Sequence, residues 1–314
     1  MTDLLYSAIT GTIFGAALTV SGVYLPTTIT SQMQLQDFNM LRVFLTASSA
    51  SALVISFNER LMQCALNRRP PSSIGWLGPY DGNIIGGAMV GAGMTLTSAC
   101  PGTVLVQVGT GISSGRYVLL GGILGAITGK SQNSLPGKLG ISPSTATLAF
   151  QSMCVSLIVA LRYLAPGHAH TAVDPVLMSL LMTKAPVGVS TGYEDIGRWV
   201  RSFIHGAVTV EPLWSWKQKP ALPLTKSVCF GTGILASSFV LSQMVPEFVR
   251  ADSLPMGPSR GVLGGLIMVF GARIAGGCTS GHGISGMSML GTSSIIIVAS
   301  MFAAGIGSAF VLAA

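Results

Sequence analysis

Apolar runs dominate the chain, and short polar or Gly/Pro-rich breaks separate them. Residues 4–24 are apolar and studded with Gly11, Gly15 and Gly22, and Pro26 closes the run. About 20 helical residues cover the roughly 30 Å of bilayer hydrocarbon, so this stretch is just long enough to span. Residues 40–57, 145–164, 222–245 and 293–314 read as further spans. Two other runs, 83–99 and 261–277, are short for a full crossing and stop at a cysteine, so each reads as a half-helix. Short apolar pieces at 103–110, 118–128, 173–182 and 284–290 bring the expectation to roughly eight or nine membrane segments, several too short to cross alone. Between them, 59–71 and 130–140 read as loops, and 165–221 is the most polar part. Within it, 194–206 sets Ile196, Val200 and Ile204 against Arg198, Arg201 and His205, the spacing of an amphipathic helix at the membrane interface. Trp214 and Trp216 beside Lys217 and Lys219 read as an interfacial anchor.

Composition supports a lipid environment. Charged residues make up 9% of the 314, against ~25% in an average soluble domain, and the mean hydropathy is +0.65. The 40 glycines and 16 prolines lie inside the apolar runs, where membrane helices tolerate both. The net charge of +7 sits mainly in loops. Arg60, Arg68 and Arg69 crowd one of them, which places 59–71 on the cytoplasmic side. No basic patch is interleaved with aromatics, so nucleic acid is not a partner. Cys64, Cys100, Cys154, Cys229 and Cys278 are odd in number and dispersed, unlike a disulfide framework. The start, MTDLLYSAIT, lacks a basic leader region and carries Asp3, so the first apolar stretch reads as a retained helix.

The two half-helices are copies of one element. Aligning Cys100 with Cys278 brings Gly86-Gly87 onto Gly264-Gly265 and Gly93 onto Gly271. The fold class expected is an all-α polytopic membrane protein, one transport domain over 1–314. Its related halves are 1–140 and 145–314, with broken helices meeting at a central constriction. Paired breaks in corresponding halves point to a transport site, because lipid cannot satisfy the freed backbone groups. Pro101, Gly102 and Thr103 on one side, and Thr279, Ser280 and Gly281 on the other, supply helix N-termini that suit an anion. Gly276 and Gly277 allow close backbone approach.

A cysteine at each break adds a soft, polarisable sulfur, suited to a sulfur-bearing ligand; the plainer reading is small buried apolar residues. Arg273, on an otherwise apolar helix, either attracts an anion or pairs with a carbonyl or carboxylate. His282 is a ligand donor, a proton relay or a backbone partner. Cys154 and Cys229 read as packing residues within ordinary spans. No clustered ligand set for a metal, no Walker loop and no convincing Ser/His/Asp arrangement is present, so no cofactor is expected.

At GARIAGGCTSGHGISG (271–286) and GAGMTLTSACPGT (91–103) the chain resembles the YeeE/YedE family of sulfur-transport membrane proteins. GTIFGAALTVSGVYLP (11–26) and the stretch Val187-Gly188-Val189-Ser190-Thr191 are similar to it more weakly. The resemblance implies an hourglass-like, pseudo-symmetric helical fold in which thiosulfate passes between thiols through S–H···S contacts, with Cys100 and Cys278 as those thiols. Members with thiosulfate activity carry a further cysteine where this chain has Ser21-Gly22-Val23, so another sulfur or selenium species stays open. The function expected is transport of a small sulfur-containing anion across a lipid bilayer, the plasma membrane first, and not catalysis. The alternatives are a membrane sulfurtransferase-like protein with a reactive cysteine and a non-sulfur channel that uses the repeat for packing.

Overall fold

The computed structural model describes residues 2–62, 71–76, 78–128, 189–208, 224–245 and 256–313, with 152, 154, 156 and 159. Every regular element among them is helical: α1 (Thr2–Val20), α2 (Pro26–Met33), α3 (Asn39–Met62), α4 (Asp81–Thr97), α5 (Pro101–Gly109), α6 (Ser113–Thr128), α7 (Val189–Val208), α8 (Lys226–Met244), α9 (Pro258–Ala275), a π-helical segment Thr279–Gly286, and α10 (Thr292–Ala313). Among these residues, four stretches are long and apolar enough to cross a membrane: Thr2–Val20, Asp81–Gly109, Lys226–Met244 and Thr292–Leu312. Pro258–Ala275 joined to Thr279–Gly286 through a 44° bend makes a fifth. The eight or nine segments read from the sequence are not reached among the described residues; 145–164 (apart from four positions), 173–182, 130–140 and 213–220 lie outside them.

Three sequence expectations change. Residues 59–62 belong to the end of α3 rather than to a loop. Pro26 does not merely end the first helix. It opens α2 at the first helical position, where its missing N–H costs nothing. The third change concerns α7, the helix read at 194–206, which begins earlier, at Val189. It packs against α5, α6, α8 and α9, and its first turns bury Tyr193 and Asp195. Gly197 lets it approach closely, since a Cβ there would stand 2.8 Å from the Ala126 backbone. Asp195 is held by Arg198 and by Thr225 Oγ1 at 2.6 Å.

α4 and α9 lie side by side at the centre, α4 also against α10 and α9 also against α6. Small residues make this seam. A Cβ on Gly86 would stand 2.6 Å from the Gly271 carbonyl oxygen, and one on Gly271 would stand 2.8 Å from that of Gly86. Farther along, a Cβ on Gly93 would meet Met268 at 2.6 Å, and one on Gly264 would meet Thr97 at 2.5 Å. With no hydrophobic drive between helices in lipid, such backbone approach supplies the van der Waals contact that holds them together. The core around the seam includes Met94, Val104, Val189, Tyr193, Met268 and both motif cysteines.

Candidate functional site

The first break follows Thr97. Ser98 adopts a left-handed conformation (φ 49°), and Thr30 Oγ1 on α2 hydrogen-bonds its hydroxyl at 2.8 Å. Gln107 Nε2 then donates to the carbonyl oxygens of Ser98 (3.1 Å) and Tyr24 (2.9 Å). These are backbone acceptors freed at two chain reversals, and a buried amide satisfies both. Cys100 caps α5. Thr103 N donates to Cys100 Sγ at 3.4 Å, and Cys100 N donates to Thr103 Oγ1 at 2.7 Å. This is the capping-box exchange with sulfur in the place of a hydroxyl, and Pro101 sits at the first helical position.

The second break follows Ala275. Gly276 turns left-handed (φ 77°), a conformation glycine adopts at little cost. Cys278 stands at the N-cap position of the π-helical segment without a side-chain capping bond; its Sγ lies 3.2 Å from Ser280 Oγ, and its carbonyl accepts from His282 N at 2.8 Å. The two cysteines are almost fully buried, at 2% and 1% exposure, and lie within electrostatic reach of each other.

A third helix start joins them. Val189 and Ser190 open α7, and the Ser190 hydroxyl and backbone N–H lie within hydrogen-bonding reach of Cys278 Sγ. Val189 Cγ2 stands 3.7 Å from where a Cβ on Gly102 would be, and Cys100 Sγ 3.9 Å from it. One turn on, Tyr193 OH donates to the Pro101 carbonyl at 3.2 Å. The N-termini of α5, α7 and the π-helical segment therefore converge around two sulfurs, and each brings unpaired N–H groups and the positive end of a helix dipole. Thr279 Oγ1 is buried and makes no hydrogen bond of normal geometry; the Cys100 thiol is its neighbour. Among the described residues no three His, Cys, Asp or Glu side chains come together as a metal site.

Of the residues singled out in the sequence, Cys100, Pro101, Gly102, Thr103, Cys278, Thr279, Ser280 and Gly281 come together here. His282 lies one turn beyond, buried, with Nδ1 2.9 Å from Ser294 Oγ. Arg273 turns elsewhere: its guanidinium donates to the Ala126 carbonyl and reaches Glu194 Oε1 at 3.4 Å, so of its two readings the pairing is the one observed. Gly276 takes the left-handed turn, and Gly277 N closes it on the Ala272 carbonyl at 2.9 Å. Ser190, Tyr193 and Gln107 were not among the expected site residues. The Val-Gly-Val-Ser-Thr stretch was the sequence signal that pointed toward Ser190; nothing local marked the other two.

Broken apolar helices that present N–H groups and thiols to a buried point define a multi-pass membrane transport protein. The chain belongs to the sulphur transport family, whose model matches residues 20–307. It is 26% identical over 290 residues to the thiosulfate transporter TsuA of Spirochaeta thermophila, a match covering 81% of this chain and 82% of that protein.

Proposed function

We propose that this chain carries thiosulfate across the membrane through a constriction lined by Cys100 and Cys278. The observation that carries the reading is the placement of a cysteine at the N-cap of each helix that restarts after a break. Thiosulfate has a soft terminal sulfur and a hard sulfonate head. Thiols offer soft contacts to the first, and the helix N-termini with Thr103, Thr279 and Ser280 offer donors to the second. Pro101, Gly102, Gly276, Gly277, Gly281 and His282 shape the backbone of that path, and Arg273 supports it from its pairing with Glu194. The name of the Spirochaeta thermophila relative supports thiosulfate in particular.

The same reading takes the two halves as pseudo-symmetric. Their support is reciprocal: Gly86 meets Gly271, while a Cβ on its aligned equivalent Gly264 would stand 3.5 Å from the Gly93 carbonyl oxygen, and α4 against α10 corresponds to α9 against α6. The position aligned with the third cysteine of thiosulfate-active members falls at the turn between α1 and α2, where Gly22 has φ 68°. On this reading the path uses the two thiols of Cys100 and Cys278. The sulfurtransferase alternative needs an activating neighbour for its cysteine; of the two candidates, His282 hydrogen-bonds Ser294 and Arg273 bonds the Ala126 carbonyl and Glu194.

Uptake of radiolabelled thiosulfate into proteoliposomes, with sulfate in parallel, tests the proposal. Thiosulfate accumulation that unlabelled thiosulfate competes away and sulfate does not is the expected result. Equal uptake of the two anions, or none of thiosulfate, overturns it, and a persulfide on Cys278 found by mass spectrometry after exposure points to the covalent alternative.

A further inference from the structure

A helix leaves its last four carbonyls without intrahelical partners, and in lipid each must find one. At the end of α9 all are accounted for. Gly277 N and Gly276 N take the Ala272 and Arg273 oxygens at 2.9 and 3.3 Å. Ser72 Oγ donates to the Ile274 oxygen at 2.6 Å, and Asn83 Nδ2 to the Ala275 oxygen at 3.3 Å. Both side-chain donors come from the other half of the chain. Both are buried, and they lock each other, since Ser72 N donates to Asn83 Oδ1 at 2.8 Å. The arrangement is answered at the first break. Leu96, the position aligned with Ile274, offers its carbonyl to Arg260 Nε at 3.0 Å. Arg260 stands in the first turn of α9, as Asn83 stands in the first turn of α4. Leu96 and Ile274 each lie about one turn before their cysteine.

We propose that Ser72 with Asn83, and Arg260, are positioning residues of the substrate path: each holds, from the opposite half, the end of the broken helix that leads into Cys278 or Cys100. The proposal rests on the reading of those cysteines as the path. It goes beyond that reading by assigning the geometry of each break to side chains of the other half. The two braces differ in strength. Ser72 and Asn83 work away from water, whereas Arg260 is exposed, so the second break is held more firmly than the first.

The test reads the reactivity of each cysteine separately. Full-length protein in proteoliposomes is treated with methyl methanethiosulfonate, and modification of Cys100 and Cys278 is followed by mass spectrometry. Loss of one hydrogen bond of ordinary net strength shifts a local opening equilibrium about fivefold. Asn83→Leu should raise Cys278 modification by about that factor or more and leave Cys100 nearly unchanged. Arg260→Met should do the reverse, more weakly, and Arg260→Lys should restore most of the protection. Ser72→Ala removes a hydroxyl and no bulk, and serves if Asn83→Leu does not fold. A merely structural role loosens both cysteines together. Equal response of the two sulfurs, or no response of either, overturns the braces. Normal thiosulfate uptake by Cys100→Ser and Cys278→Ser overturns the path itself, and leaves the reactivity pattern to stand or fall on its own.

Discussion

Cys100 and Cys278 occupy the position before a helix where serine, threonine, aspartate or asparagine is usual. A thiol is the weaker cap, so the choice sacrifices some local stability for a soft atom at the helix start. Substitution by serine separates the two roles. Serine strengthens the cap at Cys100 and keeps the volume nearly constant at both positions, so packing alone predicts folded, active protein. The transport reading predicts that Cys100→Ser and Cys278→Ser each lose about tenfold or more of the uptake rate, equivalent to ~1.4 kcal/mol on the barrier. Cys154→Ser and Cys229→Ser, at matched expression, should keep most of theirs; both sulfurs are away from the breaks, one packed beside Leu45 and Ala52, the other part-exposed on α8. Equal uptake by all four variants sinks the assignment. Thr279 offers a sharper separation. Its hydroxyl is buried without a hydrogen bond of normal geometry, the Cys100 thiol being its neighbour, and exchanging such a group for an apolar one of the same shape is nearly neutral or stabilising. Thr279→Val should therefore unfold within about 1 kcal/mol of the parent yet transport poorly. A variant that is destabilised but transports at the parental rate would mean that the hydroxyl serves the fold and not the anion.

At the scale of elements, the seam between α4 and α9 depends on absent side chains. A Cβ on Gly271 would meet Met89 Cβ at 2.5 Å as well as the Gly86 oxygen. Gly271→Ala should cost about 1–3 kcal/mol through overpacking, read as a lowered unfolding midpoint in detergent. Gly307 on α10 is the internal comparison, because a Cβ there meets nothing within 4 Å; Gly307→Ala should be neutral or stabilising by about 0.5–1 kcal/mol, the helix-propensity gain. If the two alanines behave alike, the seam is not set by close approach. The matched glycines were visible in the sequence as a repeat, and so were both breaks. Their crosswise partnership was not, because an alignment identifies equivalent positions and says nothing about which of them touch. The helix α2 was hidden for a different reason: its residues PTTITSQM are largely polar, and Pro26 at its first position looks the same as a proline that stops a helix. Tyr193 and Gln107 escaped because their partners, Pro101 for one and Tyr24 for the other, are remote in sequence, and no local spacing encodes such a contact.

For the whole molecule, helix directions combined with charge predict an orientation. The ion pair of Lys226 with Asp3, at 2.8 Å, brings the starts of α1 and α8 together. Thr225, just before α8, bonds Asp195, and the neighbouring Glu194 pairs with Arg273 near the end of α9. Ser72 sits on the carbonyl of Ile274, and Tyr80 OH lies 3.4 Å from Thr292 Oγ1 at the start of α10. The starts of α1, α4, α8 and α10 and the end of α9 thus gather toward one face, and the start of α9, with Arg260, points to the other. Arg60, Arg68 and Arg69 precede Ser72 closely in sequence, and Arg198, Arg201 and Lys226 lie on the helices of the first face. Cytoplasmic loops carry the excess of Lys and Arg, which predicts that the first face is the inner one. An impermeant maleimide applied to intact cells should leave Cys64 unlabelled until the membrane is opened. In a Cys64→Ser background, Ser259→Cys, exposed beside Arg260 on the opposite face, should label from outside at once. Labelling of Cys64 in intact cells together with protection of Ser259→Cys would invert the molecule in the membrane. Labelling of both from outside would break the assignment of the two sites to opposite faces, and with it the helix directions from which the orientation is argued.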